Sequence, residues 1–374
     1  MTTALDIGTA TTRIRTAAGL TVLATPPPDA LAGVLARAAG TGGPVTCAVP
    51  DHWRDHGAGL ARQELLHATV LPVGPATLVG RFAAVAAHAA ARTGPGRYLV
   101  CDAGASGTGV GLCEVSGESV RLVDGAFDGA AGGDAFAAAV APGRGREFAA
   151  AAAQHAERLA AVLATAREKT LFRNALAVRA GDLEVTAGAL LEAFEPVGAR
   201  IAALAARWSA GSARTVLTGG FAGFPLVAEV LPGALRPGPH AAVEGAALFA
   251  GGVFREAPLP DVRLPIHRIR DGLPVEAEIG VPGRPGRFAA LNGRDLLLCH
   301  RREPALGVPS LMLDDAGTLP VEVDGRPAPC RAAALPPGAY RLGLRAATRG
   351  PVVALFPLAP DAEPVPVPLG RPAR

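Results

Sequence analysis

Two aspartate–glycine turns, 96 positions apart, hold residues with chemistry to offer. The first is Asp6-Ile7-Gly8-Thr9-Ala10-Thr11-Thr12, at the end of an apolar opening. Gly8 permits a tight turn, and the hydroxyls of Thr9, Thr11 and Thr12 with nearby backbone N–H groups can face a phosphate. Asp6 can position a magnesium-bound water. An ordinary hairpin with polar turn residues reads the same way. The second turn repeats the pattern: Tyr98-Leu-Val-Cys101 leads into Asp102-Ala103-Gly104-Ala105-Ser106-Gly107-Thr108. Two such turns point to two related half-domains facing one site. A third station is Leu217-Thr218-Gly219-Gly220, where paired glycines let a flat ring lie against backbone, with Pro225 as a first-turn helix residue. Ala241-Ala-Val-Glu244-Gly245 closes the set, Gly245 allowing a close helix approach.

The elements that must hold these stations follow from periodicity. Ala4 to Ile7, Arg13 to Thr16, Val45 to Val49, Thr69 to Val73, Tyr98 to Cys101 and Thr215 to Leu217 read as strands. Val110 to Val115 and Ser119 to Val123 read as a hairpin. Helical spacing covers Asp29 to Ala39, Gly57 to His67, Thr77 to Ala91, about 145–171, 186–208 and 222–231, and Ala241 to Gly251. This alternation predicts an α/β fold. Of 34 prolines, 20 fall between Pro258 and Pro372. Proline is poorly tolerated in helix interiors and central strands. The predicted boundary therefore lies at 252, with residues 253–374 a proline-rich β-sandwich or barrel. Its expected strands are Leu296–Cys299, Ser310–Leu313, Pro320–Asp324, Tyr340–Leu344 and Val352–Phe356, with Asn292-Gly293 and Asp324-Gly325 as turns.

Composition removes several function classes. The net charge of +3 is no electrostatic draw for nucleic acid or a membrane surface. Aromatic residues are 4%, which leaves few platforms for stacking bases. Lys169 is the one lysine, and it is not set in a Gly-Lys-Ser/Thr loop, so there is no P-loop. Cys47, Cys101, Cys113, Cys299 and Cys330 form no C-x-x-C pair, which argues against structural zinc and reads as reduced thiols in a cytoplasmic protein. Met1 to Asp6 reads as a strand start, not a secretory leader. The alanine-rich runs carry polar residues and read as amphipathic helices, not membrane spans.

In their order, the stations resemble the actin, sugar-kinase and heat-shock ATPase superfamily, and within it the nucleotide-binding domain of DnaK-type chaperones. Asp6-Ile-Gly8-Thr9 resembles its first phosphate loop, Asp102-Ala-Gly104 the second, and Leu217-Thr-Gly219-Gly220 with Pro225 its adenosine motif. Val243-Glu-Gly245-Ala-Ala resembles the second connecting helix, Gly132-Gly133-Asp134-Ala-Phe136 the Gly-Gly-Glu-Asp-Phe turn, and Arg167-Glu-Lys169-Thr-Leu171 the adenine-side helix. The resemblance covers about two-thirds of the chain. It implies a two-lobed actin-like ATPase fold of duplicated ribonuclease-H-like lobes: lobe I at about 1–95 plus 240–252, lobe II at about 96–239, then the β-rich domain. It implies ATP or ADP with Mg as cofactors. Asp6 and Asp102 would be the catalytic and metal-organising carboxylates, acting on Mg through water. Gly8, Thr9, Thr11, Thr12, Gly104, Ser106, Gly107, Thr108, Lys169, Gly219 and Gly220 would contact nucleotide.

The departures from that family are equally specific. The spacing of the two aspartates leaves out the small outer subdomain of the first lobe, which carries the family's catalytic lysine. The family's glutamate before proline is Gly74 here, and its adenine-stacking arginine is Gly223. Losing one charge-stabilising group typically costs roughly 10²–10³ in rate. The sequence therefore predicts an ATP-binding, DnaK-like conformational switch with weak or absent hydrolysis, meeting a protein partner through its C-terminal β region. The alternative is a non-catalytic scaffold or regulatory protein retaining the fold. A third reading is a small-molecule kinase, because Asp6 to Arg13 also resembles sugar-kinase openings.

Overall fold

The computed structural model describes residues 2–8, 10–26, 30, 33, 34, 37, 43–54, 76–208, 213–281, 289–291, 297–300, 310, 311, 318–328, 330, 331, 338–347, 350–357 and 365–369. The protein is mixed α/β and divides into two compact units. One is Met1–Pro50 with Ala68–Phe254; the other is Asp51–His67 with Arg255–Arg374. The division after Phe254 lies between Pro239 and Pro258, where proline usage rises, two residues beyond the expected boundary at 252. That the segment 51–67 groups with the second unit carries no compositional signal.

The first unit is built on two sheets of the same plan. In the first sheet, β1 (Thr3–Ile7), β2 (Thr11–Thr16) and β3 (Gly19–Ala24) form an antiparallel meander. β4 (Val45–Val49) then lies parallel to β1, and β5 (Ala76–Gly80) parallel to β4. The order is β3-β2-β1-β4-β5. In the second sheet, β6 (Gly96–Ala103), β7 (Thr108–Ser116) and β8 (Ser119–Asp128) repeat the meander. β11 (Arg214–Thr218) lies parallel to β6, so the first unit's strands of this sheet run β8-β7-β6-β11. Between β8 and β11 the chain also forms a small hairpin of β9 (Leu176–Ala180) and β10 (Leu183–Thr186).

Helix α1 (Arg81–Thr93) is apolar almost all round, from Phe82 to Ala90, and is buried accordingly. It shares one core with helix α7 (Ala241–Ala250), with Ala4 and Ala48 of the first sheet, and with Tyr98, Val100, Cys113 and Val216 of the second. The two helices cross at Gly245, where a Cβ would stand 1.8 Å from the Ala84 carbonyl oxygen. Phe82 extends under β7, and Cβ atoms on Gly109 or Gly111 would strike its ring at 2.8 and 2.3 Å. Those two glycines of β7 therefore serve packing.

The opposite face of the second sheet carries α2 (Gly133–Val140), α3 (Gly145–Gln154), α4 (Ala156–Glu168), α5 (Ala187–Ala206) and α6 (Pro225–Val230). A cluster of Phe136, Phe148, Phe194, Phe221 and Phe224 joins α2, α3, α5 and the start of α6, and α4 adds Leu159 and Leu163 to the same core. Two expected helices are corrected. Thr77 to Gly80 is strand, because it completes the parallel edge beside β4, and the helix starts only at Arg81. The run at 145–171 breaks at His155, then ends in a 3-10 turn, Thr170–Asn174. The strand expected at Thr69 to Val73 and the helix at Gly57 to His67 lie outside the described residues, as does most of Asp29 to Ala39.

In the second unit a long antiparallel hairpin pairs Val262–Arg270 with Leu273–Val281. Its turn takes positive φ at Asp271 and Gly272. It belongs to a large, mostly antiparallel sheet that also pairs Gly338–Ala347 with Gly350–Pro357. Val262, Leu264, Ile266, Leu344, Val353 and Leu355 are among its core residues. The Asp324-Gly325 turn joins two short strands; Asn292-Gly293 lies outside the described residues.

Candidate functional site

The parallel strands of both sheets end toward one place. In open α/β sheets, ligand sites form outside the carboxyl ends of strands. β1 brings Asp6 there, β6 brings Asp102, β11 leads into Gly219, and β5 delivers Arg81 through the N-cap Gly80. Gly219 has φ +100°, and a Cβ on it would stand 2.3 Å from the Ala103 carbonyl oxygen and 2.6 Å from Asp102 Oδ1. Only glycine fits there without shifting the Asp102 loop. Gly220, by contrast, faces open space.

Arg81 decides the electrostatics. Its Nη2 donates to Asp6 Oδ1 at 2.8 Å and to the Ile7 carbonyl at 3.2 Å, while Nη1 donates to Asp102 Oδ2 at 3.2 Å. One guanidinium thus bridges the two sheets. Arg13, opposite Asp6 in the β1–β2 register, donates from Nη1 to Asp6 Oδ2 at 3.3 Å. The side chains are largely withdrawn from solvent, with Asp6 5% exposed and Arg81 and Asp102 each 14%. Burial alone would lower the Arg81 pKa; Asp6 and Asp102 more than offset it and hold the guanidinium firmly charged. Two carboxylates face two guanidiniums, so the cluster is neutral. Burial, with Asp6 adding to it, pushes the Cys47 thiol up to about 12; burial with Asp102 does the same to Cys101.

Four of the groups expected to face phosphate, on Gly8, Thr12, Gly104 and Thr108, are engaged within the protein. Gly8 N–H donates to the Thr11 carbonyl at 3.0 Å, and Gly104 N–H to the Gly107 carbonyl at 2.9 Å. Thr25 donates its hydroxyl proton to the Gly8 carbonyl at 2.7 Å, so in its 3.1 Å bond with the buried Thr12 hydroxyl it is the acceptor. Thr108 is fully buried and donates to the Ala131 carbonyl. Gly107 is pressed against Phe127, which a Cβ would meet at 2.4 Å. Thr11 is half-buried in β2, and Ser106 is exposed. Lys169 stands exposed as the C-cap of α4. Thr9 lies outside the described residues.

Asp6, Asp102 and Gly219 therefore lie together, around Arg81 and the Asp102 loop. The arrangement does not fit a water-bridged Mg²⁺, because both Asp6 oxygens and one Asp102 oxygen already accept from guanidiniums. A nucleotide phosphate here would find the Gly8 and Gly104 N–H groups and the Thr12 and Thr108 hydroxyls already engaged. Arg81 was missed by sequence reasoning. Its signal was a lone cation at the head of an otherwise apolar run, directly after a strand. Among the described residues no cluster of three or more His, Cys, Asp or Glu gathers as a metal site. Two cavities, of about 500 Å³ beside Arg214 and Leu235 and about 450 Å³ beside His155 and Arg158, open elsewhere. No helix of the described residues is long and apolar enough to cross a membrane. No protein-family model matches the chain, and no curated protein matches it significantly.

Proposed function

We propose that the first unit is a two-lobed, actin-like domain, related in plan to DnaK-type nucleotide-binding domains, that acts as a nucleotide-independent scaffold and presents the β-rich second unit to a protein partner. The repeated strand order of the two sheets, with α1 and α7 packed between them, supports the duplicated plan. The observation that carries the scaffold reading is the Asp6–Arg81–Asp102 bridge. In a nucleotide switch these carboxylates organise a cation that arrives with the ligand, and lobe closure reports its presence. Here the cation belongs to the chain, so the bridge between the two sheets needs no ligand.

The test is a thermal-shift titration with Mg-ATP and Mg-ADP. A ligand at 100 times its Kd adds roughly 2.7 kcal/mol of stability. The scaffold reading expects no shift at millimolar nucleotide and no phosphate release. A saturable shift abolished by Asp102→Asn would establish the ATP-binding switch in its place.

A further inference from the structure

We propose that the Arg81 guanidinium occupies a divalent-cation position between Asp6 and Asp102, closing it to metal ions in this chain, and that removing Arg81 opens it. The inference deepens the scaffold reading and rests on the same bridge, but its test uses metal ion alone. Three observations carry it.

First, the two carboxylates come from different sheets and are brought within reach of a single guanidinium, at 2.8 and 3.2 Å. Two buried carboxylates brought to one point attract a cation between them, and Arg13 reaches only Asp6 Oδ2, from the other side, at 3.3 Å. Second, Arg81 is the first residue of α1. The positive end of a helix macrodipole disfavours a cation, typically by about 0.3–1 kcal/mol. Arg81 sits there against that preference, and its Nε is buried with no partner. The side chain is held from its tip, by the carboxylates. Third, the groups around the guanidinium are all hard oxygen donors: two carboxylates and the Ile7 carbonyl. That set suits Mg²⁺ or Mn²⁺, which take one or two carboxylates and keep several waters.

The experiment is calorimetric titration of the full chain with MnCl₂, without nucleotide. Wild type should show no saturable binding up to about 1 mM, a level at which weak oxygen-donor sites already fill. Arg81→Ala should gain one site, and Arg81→Ala/Asp102→Asn should lose it again by about tenfold or more in Kd. If Arg81→Ala does not fold, Arg81→Gln, which keeps most of the stem and loses the charge, is titrated under the same criteria. Mn²⁺ binding to wild type that Asp102→Asn removes would overturn the proposal, as would no gain in the folded Arg81 variant. A wild type that binds nucleotide yet ignores Mn²⁺ would defeat the scaffold reading and leave this one standing.

Discussion

Replacing Arg81 with methionine tests the bridge as a source of stability. Methionine keeps an apolar stem of similar reach and removes the charge. Asp102 then loses its guanidinium, and Asp6 keeps only the 3.3 Å contact from Arg13. Truncating one partner of a buried ion pair typically costs 3–5 kcal/mol, because it leaves the other charge buried and uncompensated. The 14% exposure of Asp102 and the stem retained by methionine place the expected loss near the low end, about 3 kcal/mol. The assay is urea unfolding followed by tryptophan fluorescence. The chain has two tryptophans, so a Trp53→Phe background leaves Trp208 to report on the first unit. Trp208 is a suitable reporter because its Nε1 donates to Asp124 Oδ2 at 2.9 Å. Asp102→Asn alone and in combination completes a double-mutant cycle, with an expected coupling of about 1–3 kcal/mol. A loss below about 0.5 kcal/mol, the usual effect of a surface substitution, with no measurable coupling would refute the reasoning.

Gly245→Ala forces a methyl to 1.8 Å from the Ala84 carbonyl and should cost about 1–3 kcal/mol or more, whereas Gly220→Ala, in open space, should stay within about 0.5. Denaturation midpoints check both. Cys47 and Cys101, pushed up to about 12 by burial and by Asp6 and Asp102 respectively, should resist iodoacetamide at about pH 8 in the folded chain and react on unfolding, as read by peptide mass spectrometry. Burial first, and then Arg92, lower the His88 pKa below its ordinary 6.5, with Glu244 opposing. The unfolded chain then binds the proton more readily than the folded one, so folding stability falls as pH drops through 6.5. His88→Gln should flatten that fall in chemical denaturation at a series of pH values.

Much of the scaffold was legible because it rests on short-range rules. Strand–turn–strand patterns located β1 with β2 and β6 with β7, and the glycine-rich stretch after Asp102 marked a turn. What was not legible follows from the same physics. Thr77-Leu-Val-Gly80 runs, with Arg81 the one polar break, into the apolar helix behind it, and only pairing with β4 makes it strand. Starting the helix there put Arg81 one turn inside it, where an arginine reads as a solvated face. Gly107 fits a phosphate loop equally well until Phe127 is seen against it. Thr12 and Thr108 have the right chemistry for a phosphate, but hydroxyls can equally close a buried turn. Only tertiary partners distinguish the two uses.

The central claim is that the two sheets of the first unit are already tied together without ligand. Its most direct measurement is a spin-label distance across them. Labels at Val22 on β3 and Leu171 beyond α4, both exposed, report the spacing by double electron–electron resonance. The account predicts one narrow distribution, unchanged by Mg-ATP or Mg-ADP and broadened by Arg81→Met. A wild-type distribution that shifts on adding Mg-ATP would contradict it.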